Sequence, residues 1–194
     1  MPLEEHRYSV LLVSASETFN ASLQSLFSEI GFLSAQTVSN ISAAKRAVAE
    51  RSYDFVIVNA PLPDDMGVRF AIDVCASGTS VPLLLVRSKL HDEIRGKVTP
   101  HGVFTLQKPI AKPTMRIALG WMTSTRERLR KAEKKTISIE EKMNEIRLVN
   151  RAKWLLISEL KMTEPDAHRY VEKQAMDRCV SKRQIAEEII KTYS

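Results

Sequence analysis

The chain has 194 residues, of which 44% are hydrophobic, and this is enough to bury a core in one large domain or in two small ones. Lys and Arg outnumber Asp and Glu by 29 to 23, so the formal net charge of +6 suits a polyanionic partner. The composition excludes a disordered chain, and the two cysteines have no spacing typical of a disulfide framework or a metal site.

The amino terminus lacks the features of an export signal. It carries Glu4 and Glu5 where a signal peptide needs bases, and the apolar run from Val10 to Val13 is too short to span a membrane. We therefore expect a reduced, cytoplasmic protein.

Apolar runs alternate with helical patterns over the first half of the chain. The strand-like runs lie at 8–13, 54–61, 81–86 and 102–106, and the helical patterns lie at 19–30, 41–51 and 68–75. Gly31 is the predicted stop of the first helix. Strands that are apolar throughout and alternate with helices predict a doubly wound α/β domain, with a parallel sheet covered on both faces. Any site then lies beyond the carboxyl ends of the strands.

The strand ends resemble the receiver domain of bacterial response regulators. Pro63 and Gly67 follow Asn59 at four and eight residues, which is the receiver spacing after the phosphorylated aspartate. Lys108 begins a Lys-Pro pair after the last strand-like run, as in receivers. The resemblance implies a (βα)5 receiver-like fold over residues 1–120.

The positions that carry receiver chemistry are altered. A receiver holds Mg²⁺ with an acidic pair after the first strand and with the phosphoacceptor, because this cation needs carboxylate oxygens. The degenerate phosphorylation site consists of Asn59 at the acceptor position, Ser14 and Ser16 after the first strand, Ser88 one residue from the expected hydroxyl, and Lys108. We therefore predict a pseudo-receiver that is not phosphorylated, has no metal site and uses no cofactor.

Other interpretations of this region stay open. Asp64 and Asp65 are alternative acceptors in the loop after the third strand, although two solvated loop acids are the more common case. Without a phosphoryl group, Lys108 has Asp64, Glu17 or a backbone carbonyl as possible partners. The sequence does not decide whether the pseudo-receiver binds a ligand or a signalling partner.

From Thr114 onward, apolar residues recur at seven-residue intervals for about five repeats. This pattern predicts a long helix, and over residues 121–146 it predicts a linker that forms a parallel coiled-coil homodimer, with packing against its own chain as the alternative. The residues expected in the dimer seam are Met122, Leu129, Ala132, Ile139, Met143 and Ile146. Residues 108–136 carry nine bases and two acids, which favours a solvated charged face over a nucleic-acid site.

The block from 147 to 194 contains three short helical patterns, which must pack together because each is too short to be stable alone. Thr163 is the expected cap of the second helix and Ser181 that of the third. The block resembles an ANTAR domain, the RNA-binding module of transcription antitermination regulators. The residues that carry the resemblance are Asn150-Arg151-Ala152-Lys153, Leu156, Met162-Thr163-Glu164, Ala167-His168-Arg169, Ala175-Met176-Asp177, Ile185-Ala186-Glu187 and Ile190.

The resemblance implies a dimer that binds tandem stem-loops in a nascent leader RNA and prevents a terminator hairpin from forming. Basic side chains hold phosphates, and Arg and aromatic side chains stack on splayed bases. The candidate RNA-binding residues are Lys153, Arg169, Tyr170, Lys173, Arg178, Lys182, Arg183, Arg151 and His168, with Arg169 favoured for a base and Lys153 for a phosphate. Trp154 is a further stacking candidate, although Trp154 and Met176 are expected mainly in the core.

Two other functions are open at this point. A protein-interaction adaptor would use the coiled coil and the bundle to bind another protein. A DNA-binding transcription factor is the second alternative, because three-helix blocks also form helix-turn-helix modules. An enzyme is the least favoured class, since the sequence contains no recognisable nucleophile–base pair or metal cluster.

Overall fold

The computed structural model describes residues 8–30 and 35–193. The chain forms two compact units, which divide between Lys131 and Ala132. Gly31, the predicted stop of the first helix, lies outside the described residues.

The first unit contains a five-stranded parallel sheet with the order β2-β1-β3-β4-β5. The strands are β1 (Val10–Val13), β2 (Ala35–Val38), β3 (Phe55–Asn59), β4 (Val81–Arg87) and β5 (Phe104–Lys108). The chain reverses its direction of travel across the sheet at β1 and β3, so the carboxyl ends of these two central strands lie side by side. This topology confirms the predicted doubly wound parallel sheet.

Seven helices accompany the strands in the described part of the chain. They are α1 (Glu17–Glu29), α2 (Ile41–Glu50), α3 (Val68–Ala76), α4 (Ser88–Val98), α5 (Lys112–Leu160), α6 (Glu164–Asp177) and α7 (Lys182–Tyr193). A short 3-10 turn, Thr99–His101, precedes β5. The 49 residues of α5 confirm the predicted long helix.

The two faces of the sheet bury separate apolar clusters. Side chains alternate along a strand, so Leu11 and Val13 lie on one face of β1, and Val10 and Leu12 lie on the other. The first pair packs with residues of α2, α3 and α4, and the second pair packs with residues of α1 and the first turns of α5. Because both faces are covered, the central strand β1 is apolar at every position, and β3 and β4 are apolar up to their last residues, Asn59 and Arg87.

The first turns of α5 belong to this core. Met122 is fully buried and packs in one cluster with Met115, Leu119 and the sheet. The prediction that Met122 lies in a dimer seam is therefore wrong, because the sheet already covers that side of the helix. Leu129, another residue predicted for the seam, is partly buried against the same cluster.

Polar contacts hold the next turns of α5 within the first unit. Nε of Arg126 lies 2.9 Å from Oδ1 of Asp54, and both side chains are largely covered. Asp54 also accepts hydrogen bonds from the N–H and the hydroxyl of Ser9. Burial alone would raise the pKa of Asp54, but the hydrogen bonds from Ser9 and Arg126 hold it below its ordinary value. The hydroxyl of Tyr8 donates to Glu127 at 2.9 Å.

The second unit is a bundle made of the end of α5, α6 and α7. Its core side chains are small or branched: Ala152, Leu156, Ala167, Val171, Ala175, Ile185, Ala186 and Ile189. The Thr163 hydroxyl accepts a hydrogen bond from the Asp166 N–H at the start of α6, and the Ser181 hydroxyl accepts one from the Gln184 N–H at the start of α7. Both predicted caps are therefore present.

Candidate functional site

Three polar side chains meet at the carboxyl ends of β1, β3 and β5. Nδ2 of Asn59 donates a hydrogen bond to Oγ of Ser14 at 3.0 Å, and Nζ of Lys108 donates to Oδ1 of Asn59 at 2.8 Å. Lys108 also donates to the carbonyl oxygen of Ala60. Ser14 and Asn59 are buried. The structure thus brings three of the five residues of the predicted phosphorylation site together, and each one satisfies a polar group of another.

Lys108 has only neutral acceptors in the described part of the chain. Burial lowers the pKa of Lys108 from its ordinary value, and the charge of Arg87 lowers it further. Of the partners that the sequence left open, a backbone carbonyl is present, whereas neither Asp64 nor Glu17 forms an ion pair with Lys108. The site therefore holds a partly covered cation without a carboxylate.

The other two serines of the predicted site bind backbone groups nearby. Ser16 caps α1, because its hydroxyl accepts a hydrogen bond from the Phe19 N–H at 3.4 Å. Ser88 begins α4; its hydroxyl donates to the Lys108 carbonyl at 2.9 Å and accepts a hydrogen bond from the Gln107 side chain at 2.8 Å. Ser88 therefore ties α4 to β5 and does not contact Asn59.

The two acids of the loop after β3 hold the backbone in place. The carboxylate oxygens of Asp64 accept hydrogen bonds from the N–H groups of Ile41 and Ser42, each at 3.0 Å, so this residue caps α2 from outside. The pKa of Asp64 is lowered from its ordinary value, and the hydrogen bond from the Ile41 N–H is the largest cause. Asp65 accepts a hydrogen bond from the Gly67 N–H at 2.6 Å. Both acids have structural roles, which favours the interpretation of loop acids over that of phosphoacceptors.

Gly67 is required by packing and not by phosphoryl chemistry. It precedes α3 with φ at 73°, and a Cβ on this residue would lie 2.6 Å from Cγ1 of Val58. Only glycine accepts both the left-handed backbone and the close approach. The receiver spacing from Asn59 to Gly67 is therefore kept by the fold even though the acceptor has changed.

The strand-end site does not fit the magnesium ion of a receiver. Mg²⁺ is held through carboxylate oxygens in octahedral geometry. Position 14 offers a hydroxyl that already accepts from Asn59, position 59 offers an amide, and Glu17 is the one acid of the 14–17 loop. Among the described residues, no three His, Cys, Asp or Glu side chains are grouped as they would be to hold a metal ion.

Most of the basic residues predicted to bind RNA are paired with acids of the second unit. The pairs are Lys153–Glu164 at 2.8 Å, Arg178–Glu188 at 2.5 Å, Lys182–Glu172 at 2.5 Å and Arg183–Glu187 at 2.8 Å, and His168 lies 3.3 Å from Glu172. The hydrogen bond from Lys182 is the largest cause of a lowered pKa of Glu172. The side chain of Lys153 is only 15% exposed. The charges of these cations are therefore offset locally.

Three predicted cations, Arg151, Arg169 and Lys173, are exposed and form no ion pair within the described residues. Ala167, Val171 and Ala175 bury one side of α6. Arg169 and Lys173 are four residues apart and lie on the opposite side, with the exposed ring of Tyr170 adjacent. We call Arg169, Tyr170 and Lys173 the α6 basic face.

Large apolar side chains are also exposed in the second unit. Met176 is 77% exposed and Trp154 is 70% exposed, so the expectation that both lie in the core is wrong. Helical spacing places them on the sides of α6 and α5 that point away from the bundle core. Ile139, Met143 and Ile146 on α5 are 49% to 56% exposed.

Comparison with known proteins identifies the bundle. Residues 138–190 match the ANTAR domain family. The second unit contains an ANTAR domain. Over 139 residues, the chain is also 25% identical to the transcriptional regulatory protein PdtaR of Mycobacterium tuberculosis, and the alignment covers 72% of this chain and 68% of that protein.

Several solved receiver domains have a fold similar to that of this chain. The signal receiver domain of an HD domain-containing protein from Pseudomonas fluorescens Pf-5 matches with a TM-score of 0.60 and 22% identity, over 68% of this chain and 97% of that one. A response regulator receiver domain protein from Clostridium thermocellum matches with a TM-score of 0.56 and 18% identity, over 63% and 98% of the two chains. With a receiver fold ahead of the ANTAR domain, the chain has the architecture of an ANTAR response regulator.

Most ion pairs of the ANTAR domain cannot be predicted from the sequence. Arg183 and Glu187 are four residues apart on one helix, so this pair had a recognisable signal. The acids that pair with Lys153, Arg178 and Lys182 lie on other helices, so only the folded bundle shows these pairs.

No helix in the described part of the protein is both long and apolar enough to cross a membrane.

Proposed function

We propose that this protein is a dimeric, RNA-binding regulator of transcription antitermination. Two ANTAR domains bind tandem stem-loops in a nascent leader transcript, and the bound RNA does not form the competing terminator hairpin. The ANTAR domain at residues 138–190 supports the class of function. The observation that carries the proposal is the α6 basic face, whose two cations have no acid partner in the described chain.

The α6 basic face has the chemistry that an RNA loop requires. Splayed bases need stacking surfaces and donors for their edges, and the stem needs positive charge near its phosphates. Arg169 offers a guanidinium plane and a bidentate donor, Tyr170 offers a ring, and Lys173 offers a point charge. Arg151 on α5 is a further open cation of the ANTAR domain. The sequence favours Lys153 as a phosphate contact, but Lys153 forms an ion pair with Glu164 and is therefore a weaker candidate.

Dimerisation explains how two stem-loops are bound together. Ala132, Ile139, Met143 and Ile146 recur at heptad spacing on the part of α5 in the second unit, and all four are exposed. A second copy of the chain covers these residues in the proposed coiled coil. Two weak RNA contacts joined in one dimer then act with a high effective concentration.

The receiver fold regulates or presents the ANTAR domain without aspartyl phosphorylation in this proposal. Asn59 is not a phosphoryl acceptor, since an amide lacks the nucleophilic oxygen of a carboxylate, and its hydrogen bonds to Ser14 and Lys108 close the site. The regulatory signal therefore enters by another route.

Titration of the full-length protein with labelled RNA tests this function. We expect a tandem stem-loop RNA to bind about 100-fold more tightly than a single stem-loop, because both ANTAR domains are engaged at once. Duplex DNA of the same length is expected to compete only weakly and only at low salt. Equal competition by duplex DNA would identify a DNA-binding factor instead, and the absence of binding to either nucleic acid would favour a protein-interaction adaptor.

A further inference from the structure

A cavity between α2 and α3 is separate from both sites described above. Its volume is about 360 Å³, within the range of small-molecule sites. The floor is apolar and consists of Val48, Phe70, Val74 and the ring of Tyr53. Tyr53 and Ser80 of the lining precede β3 and β4, so the cavity lies at the amino ends of these strands. The degenerate phosphorylation site lies at the carboxyl ends.

Two open cations stand at the rim of this cavity. Lys45 and Arg51 line it, and neither forms an ion pair within the described residues. Asp73 is the one acid of the lining, and it is paired with Arg69 at 3.1 Å. The guanidinium carbon of Arg51 lies 4.6 Å from the centroid of the Tyr53 ring, so this cation is held over the aromatic part of the floor.

Hydroxyl groups complete the rim. Ser80 donates to the Tyr53 carbonyl at 2.6 Å and Ser77 donates to the Val74 carbonyl at 2.7 Å, so both hydroxyls have fixed directions. Thr79 is exposed beside them. The cavity therefore combines an apolar floor, oriented hydroxyl oxygens and an excess of positive charge.

We propose that this cavity binds a small organic anion with an apolar or aromatic body. The ring of the ligand packs on Val48, Phe70 and Val74, because Arg51 already covers the Tyr53 ring. The carboxylate of the ligand accepts hydrogen bonds from Arg51 and Lys45 at the rim. A neutral ligand leaves both cations without a partner, and a cationic ligand is repelled by them. Binding at this position gives the first unit an input that needs neither aspartyl phosphorylation nor RNA.

The test uses the full-length protein and two matched pairs of probes. Phenylacetate and 3-phenylpropanoate are compared with phenylacetamide and 3-phenylpropanamide by amide chemical-shift titration. We expect each carboxylate to bind at least about tenfold more tightly than its amide, because a charge-assisted hydrogen bond contributes about that factor. The shifts are expected at amides of α2, α3 and the turn before β4, and not at Ser14 or Asn59.

Two exposed-charge variants separate this cavity from general electrostatic attraction. The double substitution Lys45→Gln and Arg51→Gln is expected to remove the preference for the carboxylates. The control Lys89→Gln and Arg95→Gln removes two exposed cations of α4 and is expected to leave the preference unchanged. Thr79→Trp narrows the rim and is expected to weaken all four probes. Equal binding of acids and amides, shifts centred elsewhere, or no binding of any probe at about 10 mM overturns the proposal.

Discussion

Met122 and Met143 occupy the same heptad position on α5, three repeats apart, and their surroundings differ. Met122 is fully buried against the sheet of the first unit, whereas Met143 is 49% exposed. A heptad pattern records an apolar stripe on a helix but does not say what covers it. In the first unit the cover is the protein's own sheet, and in the second unit we propose that it is another copy of the chain.

The same contrast separates the cations of the ANTAR domain. Lys182 and Arg183 look like RNA ligands in the sequence, but Glu172 and Glu187 already pair with them. Arg169 and Lys173 carry the same charge and remain open among the described residues. Residue type and net charge therefore do not distinguish these two pairs of cations, whereas their ion pairs do.

The largest expected effect concerns the open part of the heptad stripe. The double substitution Ile139→Asp and Ile146→Asp places charges in the proposed dimer seam and is expected to raise the dimer dissociation constant by about 1,000-fold, which corresponds to about 4 kcal/mol. Sedimentation equilibrium measures this change. Ile137→Asp is the matched control, since Ile137 is equally exposed but lies outside the stripe. A dimer that tolerates the double substitution would contradict the proposed seam.

The buried part of the stripe predicts a loss of stability without a change in assembly. Met122→Ala is expected to lower the free energy of unfolding of the first unit by about 2–5 kcal/mol, because it leaves a cavity under the sheet. Met143→Ala is expected to leave this stability unchanged. Hydrogen exchange of the amides in β1 and β3 measures the difference. Equal losses of stability from the two substitutions would contradict the claim that only the first part of the stripe packs against the sheet.

A smaller effect is expected where α5 is tied to the first unit by charge. Asp54→Asn removes the covered carboxylate from the pair with Arg126 and is expected to lower the free energy of unfolding by about 2 kcal/mol at pH 7. The folded pKa of Asp54 is lowered, so its contribution is complete above the unfolded pKa of about 3.9 and is lost as the pH falls through the folded pKa. Urea unfolding at several pH values measures this.

Glu29→Gln is the control for that experiment. Glu29 also pairs with cations of α5, Lys112 and Arg116, but these pairs are exposed to solvent and are expected to contribute less to stability than the covered pair of Asp54 and Arg126. A difference between wild type and Asp54→Asn that persists unchanged at acid pH would show that the carboxylate charge is not responsible.

No effect is expected from a phosphoryl analogue at the strand-end site. Beryllofluoride with Mg²⁺ is expected to leave the amide chemical shifts of α4 and β5 unchanged, because Ser14 and Asn59 replace the acids that receivers use. A Mg²⁺-dependent change that disappears in Asp64→Asn would instead identify Asp64 as an acceptor.

The sequence predicts the most deeply buried strands and misses two elements, β2 and α4, that bury few residues. The apolar runs at 54–61 and 81–86 mark the central strands β3 and β4, which are covered on both faces. β2 lies at an edge of the sheet and has no fully buried residue, so Ala35–Val38 gives no apolar signal. Helix α4 buries only Ile94 and Val98, which is too few for a clear periodicity.

Site residues follow a similar rule. The predicted parallel sheet places Asn59 and Lys108 at the same edge, since parallel strands end at the same edge of a sheet. Spacing does not show that Asp64 caps α2 or that Glu164 pairs with Lys153, because these contacts join segments distant in sequence. The prediction that Trp154 and Met176 lie in the core is wrong because it rests on residue type. Both residues lie on the sides of their helices that face solvent.

The most direct test compares two pairs of cations of the ANTAR domain that have the same charge. Arg169→Gln with Lys173→Gln is expected to raise the dissociation constant for tandem stem-loop RNA by about 100-fold and to reduce the slope of log K against log salt by about one to two. Lys182→Gln with Arg183→Gln removes the same charge and is expected to change affinity by less than about threefold, with the slope unchanged. Equal losses from the two pairs would contradict the claim that the unpaired cations bind the RNA.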